Sequence, residues 1–337
     1  MGKGILITSL GASLLVTFLV LKLNANSNLN LQTTLDKYLK TQARLIANSG
    51  VEIYLEQLRR NKSLTGNFND NQLFGGEYDI NISGPDSALI ITSVADFQGV
   101  KHTTIVNARR DMLPFPSLPG AMYVTTNAIT YVKMNGNFSV SGYDHDINGN
   151  LVAGTPLPGI SVDNKADSSA IRNVLKGSAD VDGKGGKPSI WTTNNNIDWE
   201  ALANEVIYGS DITINSSNDL KNYANLGTLS VPKATFINGN IQLNSNLSGA
   251  GILVVNGDIQ INGSFSYLGI VIAYKDTKIT TQLNGNGKVY GGMIIAGSEA
   301  NLEISNGNFK CYYSTEALNN AKMNLKSSRF KIVHWWE

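Results

Sequence analysis

The 337-residue chain has little of what most enzymes and nucleic-acid binders use. It has one cysteine, Cys311, which excludes an intramolecular disulfide and any zinc site that needs two thiolates. Its three histidines, at positions 102, 145 and 334, lie far apart and show no metal-ligand spacing. Charged residues make up 16% of the chain and the formal net charge is +1. The excess of Lys and Arg that grips a phosphate backbone is therefore missing, and no nucleic-acid partner is expected. Only 8 prolines occur, none before Pro85, so nothing in the first quarter of the chain breaks a helix. What is abundant is asparagine (40) and glycine (33), together more than a fifth of all residues. Such a chain is rich in turns and poor in groups that do acid-base chemistry. At ~150 residues per domain, the length predicts two folded units plus any anchor.

The first sixty residues carry the sharpest pattern. From Ile5 to Leu21, 17 positions hold no charge, bracketed by Lys3 and Lys22. At ~1.5 Å per residue this run reaches about 25 Å, enough for residues 5–23 to cross a bilayer when Lys22 snorkels. A cleavable signal peptide shares the short basic start and the apolar stretch, and Leu23-Asn24-Ala25-Asn26 offers small residues, but the helical pattern continues past them. Leu35, Leu39, Ala43, Ile46, Gly50, Ile53 and Leu58 recur at intervals of three to five, which is one face of an amphipathic helix. The spacing predicts one continuous helix over residues 5–60, about 84 Å long. Helices in globular cores average about 11 to 12 residues, so core packing alone does not call for one this long.

Lys3-Gly4 followed at once by Ile5-Leu-Ile-Thr-Ser-Leu-Gly-Ala-Ser-Leu-Leu-Val resembles the class III signal of type IV pilins and pseudopilins, in which a basic-Gly leader is cut before the hydrophobic helix. Gln42-Ala-Arg-Leu-Ile-Ala-Asn-Ser-Gly-Val-Glu-Ile-Tyr-Leu resembles the helix half of the larger minor pilins of pilus assembly. The likeness covers about 60 residues, and the next 50 loosely. It implies a leader of residues 1–4, Gly4 as the cleavage glycine and Ile5 as the new N-terminus. It further implies assembly with other copies or other pilins through the apolar helix, where Ser9, Gly11, Leu14 and Phe18 lie. Gly11, Ala12 and Ser13 are small enough for helices to approach closely. Two positions depart from the family: pilins usually begin with Phe or Met where this chain has Ile5, and many carry Glu where it has Ser9. The implied location is the bacterial inner membrane with the C-terminal part outside, then an extracellular filament. Lys3 favours the N-in orientation, and Lys22, Lys37 and Lys40 oppose it.

Residues 61–112 read as a small antiparallel sheet that packs on the long helix, since each has one apolar face to bury. Three strands are expected in a meander, at 77–83, 88–97 and 100–108, with Gln98-Gly99 as a turn. Leu113-Pro-Phe-Pro-Ser-Leu-Pro-Gly120 holds three prolines in six residues, which extends the chain into a linker. Residues 121–337 carry eight Asn-Gly pairs, at 135, 148, 238, 256, 262, 284, 286 and 306. Between them lie the apolar runs Ile252-Leu-Val-Val255, Ile270-Val-Ile-Ala273 and Met293-Ile-Ile-Ala296, each just after a Gly, with starts 18 and 23 residues apart. Continuous rather than alternating runs are what buried parallel strands show. A β-solenoid, a right-handed β-helix, is thus favoured over a β-sandwich of hairpins, although Asn-Gly favours hairpins locally. It places Val254, Ile272 and Ile294 in one buried interior column. Residues 251–259 are also similar to the C-terminal β-helix of pilus-assembly proteins. Helical inserts are expected at 167–175 and at 197–207, the latter capped by Asn196 or Asp198. The expected fold class is α+β: a long membrane-spanning and amphipathic helix on a small antiparallel sheet, followed by a mainly β domain.

Candidate chemistry is sparse. Asp144, Asp146 and Asn148 supply oxygens at positions 1, 3 and 5 of a calcium-type loop with Gly149 at 6, but position 12 is Thr155 rather than Glu; a polar Asn-Gly turn is the alternative. Asp180-Val-Asp-Gly-Lys-Gly-Gly186 reads as a phosphate cradle or a plain loop. Trp335-Trp336 with Tyr312, Tyr313 and His334 reads as a sugar-stacking surface, an apolar cap or a subunit contact. A carbohydrate-active enzyme wants paired carboxylates at fixed separation, and the strands of the repeat region contain only Glu303, Lys288 and Lys310 as charges. The expectation is a structural, non-enzymatic subunit of a pilus-like filament, with no catalytic residue and no cofactor beyond a possible calcium. A membrane-anchored carbohydrate-active enzyme and a non-polymerising envelope scaffold or adhesin are the alternatives.

Overall fold

A computed structural model describes residues 2–176, 179–193, 198–244, 246–305 and 307–337, leaving out the side chains of residues 2–8 and of Asn28. The chain divides into two compact units: residues 1–58, 63–110 and 330–337 form the first, and residues 59–62 and 111–329 the second. The fold is a long N-terminal helix with a mainly β remainder, as the sequence predicts at that level.

In the first unit, α1 (Gly2–Arg60) runs 59 residues without interruption, about 88 Å at the standard rise. Its buried stripe is Ala43, Ile46, Ala47, Val51, Tyr54, Leu55 and Leu58. Leu35 and Ile53, expected on that face, are 52% and 37% exposed. At 100° per residue both point about 110° away from the centre of the stripe, so their spacing of 18 repeats a position off the core. Gly50 lies within the stripe; a Cβ there would meet the Tyr78 ring at 2.7 Å, so the missing side chain lets helix and sheet approach closely.

The sheet facing the helix has strands β1 (Gly66–Leu73), β2 (Gly76–Ser83), β3 (Leu89–Phe97) and β4 (Val100–Arg110), all antiparallel. Phe74-Gly75 and Gln98-Gly99 turn the chain with both residues left-handed, the requirement of tight two-residue hairpins. Unforeseen β1 is asparagine-rich and largely exposed, and its register shifts between Phe68 and Asn71, so no alternation marks it in the sequence. A fifth strand, residues Phe330–Trp336, pairs with β4. This corrects the assignment of the chain's end to the repeat domain: Trp335 packs against the core of the first unit instead of capping the coils. Asn48 links the pieces, accepting from Thr104 Oγ1 and donating to Glu337 Oε1, each at 2.7 Å.

The second unit contains β5 (Met122–Met134), β6 (Ser139–Ser141), β7 (Ile160–Val162), β8 (Asp180–Asp182), β9 (Ile190–Thr192), β10 (Ile212–Ile214), β11 (Asn225–Leu226), β12 (Lys233–Asn238), β13 (Ile241–Leu243), β14 (Leu247–Asn256), β15 (Ile259–Ile261), β16 (Ser264–Leu283), β17 (Asn286–Ile304) and β18 (Lys310–Tyr313); the strand in the first unit is β19. Every pairing between these strands of the second unit is parallel, among the described residues. Hairpins between these strands are thus excluded; Asn148-Gly149 turns a short antiparallel bridge between His145 and Leu151, whereas Asn256-Gly257 and Asn262-Gly263 sit at corners between parallel strands. At such corners the amides stack from strand to strand: Asn256 donates to Asn238 at 3.3 Å and Asn262 to Asn244 at 3.0 Å. Gly251, Gly269 and Gly291 stand in register one above another with φ of 120°, 132° and 130°. A Cβ on Gly269 would collide with the carbonyl oxygen of Gly251, and one on Gly291 with that of Gly269. Each apolar run starts at this bend because only glycine makes it.

One path of pairing runs β10, β12, β14, β16, β17, β5, β7, β9. The chain enters the stack in its middle at β5, coils to one end, and later returns from the other end until β17 docks on β5. Val254, Ile272 and Ile294 are aligned and fully buried, as expected. Their surroundings differ from the expected interior, because they lie under helices α3 (Trp199–Gly209) and α5 (Thr315–Asn324), while neighbours Leu253, Val271 and Met293 face the larger strand-lined core. Burial on both faces is why the runs are continuous. The helix α2 (Lys165–Val174) is capped by Asn164, and α3 by Asp198; Asn196 and Ile197 lie outside the described residues. Neither α4 (Ser217–Leu220) nor α5 was expected. The Pro-rich 113–120 segment is no free linker: Leu113 and Leu118 are buried in the cluster beneath α3 and α5.

α3 holds one buried carboxylate. Glu205 is 3% exposed; it accepts from Ser327 Oγ at 2.9 Å and from the Ser328 amide, and pairs with Arg329 Nε at 3.0 Å. Burial pushes its pKa up, but the hydrogen bonds and the guanidinium outweigh burial and hold it below the ordinary carboxylate range. A group depressed in the folded state stabilises fully above its unfolded pKa of about 4.3, and that contribution is lost as pH falls below it. Glu205→Gln is therefore expected to destabilise at pH 7 by about 1 to 3 kcal/mol, with the gap to the native protein closing as denaturation is repeated toward pH 3. In the same assay Ile272→Ala should cost about 2 to 5 kcal/mol at every pH; a loss below about 0.5 kcal/mol would contradict its burial under the helices.

Candidate functional site

The candidate site is the half of α1 that packs on nothing. Between Leu10 and Leu23 nine large apolar side chains are each more than half exposed, and Leu29, Leu31, Leu35 and Tyr38 continue the series. Beyond Leu23 these apolar side chains stand among Asn, Gln, Thr, Asp and Lys. By length and composition the stretch suits a membrane crossing, and none of its most apolar window is buried. Apolar residues surround the helix rather than form a stripe, the pattern of a helix that expects an apolar surrounding on every side. Its hydroxyls are turned inward: Thr17 Oγ1 donates to the Ser13 carbonyl at 2.9 Å, and Thr33 and Thr34 do the same one turn back at 2.8 and 2.7 Å. Such back-bonding satisfies a hydroxyl without water.

Gly4 and Ile5 belong to the helix backbone, and their side chains lie outside the described residues. Gly11, Leu14 and Phe18 fall within about 60° of one another around the helix, whereas Ser9 lies about 160° from Gly11. The four residues expected to act together thus occupy two faces. Nothing lies within 4 Å of a Cβ built on Gly11, so the small-residue notch is open. Lys22 reaches back over the Phe18 ring at 5.7 Å, the direction helical side chains favour, rather than away from the apolar run as snorkelling requires.

The expected calcium loop is tied up by its own backbone. Asp146 Oδ1 accepts from the amides of Asn148 and Asn150 at 2.9 and 2.8 Å, and Oδ2 from Asn150 Nδ2 at 2.8 Å. The Asn150 bonds, foremost, hold its carboxyl below the ordinary range. Asp144 Oδ1 accepts from the Thr315 amide at 2.8 Å, capping a different element. No group of three or more His, Cys, Asp or Glu gathers in a metal-holding arrangement among the described residues. The stretch from Asp180 begins as a strand, with Lys187 pairing to Asp180 at 2.7 Å. Tyr312 and Tyr313 belong to the second unit and His334, Trp335 and Trp336 to the first, which divides the expected aromatic surface.

No family model matches the sequence, and no curated protein matches it. Among solved structures the chain is similar to the competence-associated pilin ComZ from Thermus thermophilus. The alignment covers 88% of this chain and 97% of that one at 10% identity, with a TM-score of 0.23.

A cation at Asp146 would have to displace three N–H donors. Adding millimolar calcium to EDTA-treated protein is therefore expected to move the melting temperature by less than about 1 °C. A rise of about 4 °C or more would place a metal in the loop.

Proposed function

We propose that this chain is a structural, non-catalytic subunit that assembles through its N-terminal helix into a type IV pilus-like filament, or into the machinery that builds one, and displays a β-solenoid outside the cell. One observation carries the reading: α1 is a single helix with two environments, packed on a sheet over residues 43–58 and bare over 10–38, with apolar side chains on every side from Leu10 to Leu23. A plain anchor needs about 20 residues to cross a bilayer and has no use for this continuation. A soluble monomer rarely exposes more than a few hundred Å² of apolar surface in one patch. A surface like this one is served by lipid before assembly and by neighbouring helices after it, where burial yields about 25 cal/mol per Å². On this reading Lys3-Gly4 is removed and Ile5 becomes the N-terminus. Ser9 brings no carboxylate, so helix pairing depends on apolar packing around Gly11, Leu14 and Phe18.

The in-register parallel pairing of the second unit supports coils stacked as a solenoid, right-handed as parallel crossover connections are. Its exposed corners, rich in asparagine, would face solvent along the filament.

Gly11→Leu is the direct test, because the open space at Gly11 lets the monomer accept the side chain. Filament yield, or crosslinked oligomer in the membrane, is expected to fall by about tenfold, with circular dichroism of the β units unchanged. Unchanged assembly would overturn packing at this notch. Mass spectrometry of the native N-terminus should begin at Ile5, and an intact Met1 would overturn the processing step.

A further inference from the structure

Where the strands leave the face covered by α3, one coil carries smaller side chains than its neighbours. Tyr274, Ala296 and Thr125 stand in register on β16, β17 and β5, as do Lys275, Gly297 and Thr126. The middle coil has only Ala-Gly, so a trough opens between Tyr274 and β5, about 10 Å across at two strand spacings. Its volume is about 310 Å³, at the small end of ligand sites.

Three chemical features converge there. Trp199, the first residue of α3, and Tyr274 set two aromatic rings 6.0 Å apart, tilted by 44°. Asp163, Glu200 and Asp276 line the same trough from three different segments. Asp163 is fixed by Tyr123, whose hydroxyl donates to Oδ1 at 2.5 Å; burial, with Asp163, raises that phenol to about 12, so it stays a donor. The one ammonium in the trough, Lys275, is already paired with Asp258 at 3.2 Å. Thr126 also lines the trough, and its buried hydroxyl has no partner among the described residues.

We infer that this trough is a binding site for a neutral saccharide of one or two rings, seated with its C–H face on Trp199 and Tyr274 and its hydroxyls on Asp163, Glu200 and Asp276. Carboxylates accept from sugar hydroxyls in strong charge-assisted bonds, and the same carboxylates repel phosphate, sulfate and uronate. Aromatic faces supply flat apolar area at little conformational cost. The site stands apart from the assembly reading, since all of its residues lie in the second unit and none on α1.

The test uses the full chain in a zwitterionic detergent without a sugar headgroup, titrated with maltose, cellobiose, mannobiose and N,N′-diacetylchitobiose. Calorimetry and tryptophan fluorescence are the readouts. At least one of these disaccharides is expected to bind with a Kd of about 1 mM or tighter. Trp199→Ala should weaken it at least about tenfold and Glu200→Gln about threefold or more. Trp199→Phe, which keeps a ring under the helix, should retain intermediate affinity at an unchanged melting temperature, so a folding defect in the alanine variant does not obscure the result. No binding of any disaccharide at about 20 mM would overturn the proposal, as would equal affinity in the Trp199 variants. Binding of glucuronic acid or choline in preference to all four sugars would overturn it too. Cleavage of a bound disaccharide would support the site and overturn the non-catalytic reading of the chain, and neither result depends on whether filaments form.

Discussion

Parallel strands in register set each side chain above its equivalent on the next strand, about 4.8 Å away, and most features of the second unit follow from that spacing. Where the backbone must bend sharply, each strand needs the same conformation at the same place, and the carbonyl of the strand below occupies the space a Cβ would take. That is why Gly251, Gly269 and Gly291 form a column. At corners a polar residue has its own kind as neighbour, and asparagine, which donates and accepts at once, satisfies itself along the stack. The trough at Trp199 is the same rule in reverse: one coil with small residues between larger ones leaves a gap that periodic stacking would otherwise fill.

In the first unit the governing fact is that one helix serves two surroundings. Its sheet-facing part follows the 3.6-residue period, whereas the run from Leu10 to Leu23 carries apolar residues on all sides and residues 24–38 between the two are mostly polar. Packing on the sheet begins near Leu39, half-buried at the edge of the sheet-packed cluster. Gly50 then permits the close approach that fixes helix to sheet. The hydroxyls of Thr17, Thr33 and Thr34 are satisfied along their own helix and call for no outside partner.

What could be read from the sequence was whatever is encoded locally. The length of α1 was legible because no proline interrupts an apolar run joined to an amphipathic one. The parallel β character was legible in runs such as Ile252-Leu-Val-Val255, whose lack of alternation reports burial on both faces. Leu35 and Ile53 were placed on the wrong side because intervals of three to five tolerate a drift of the stripe. Long-range placement was not legible. Nothing near Phe330–Trp336 says that its partner is β4, since a strand's sequence reports its faces and not the edge it will join. Nor could Asp163, Glu200 and Asp276 be seen as a set, because they come from a loop, a helix end and a coil corner with no common spacing.

The same limit makes the joint between β17 and β5 instructive. It pairs Met122 with Met293, so the chain must bring together residues far apart in sequence before the stack is continuous. One column of residues crosses this seam: Gln242, Gln260, Gln282, Glu303 and Lys133 follow one another in register. Amides occupy the strands laid down one after another, and the opposite charges meet where the two parts of the chain join. Lys133 Nζ lies 2.8 Å from Glu303 Oε1, and Ser305 donates to the same oxygen at 2.7 Å. A slip of one residue would set Lys133 beside Leu302 or Ile304, both fully buried, and would turn every core side chain of β5 outward. Exposed in part, the pair adds little to stability. Its effect is on register, at a joint that local sequence leaves unspecified.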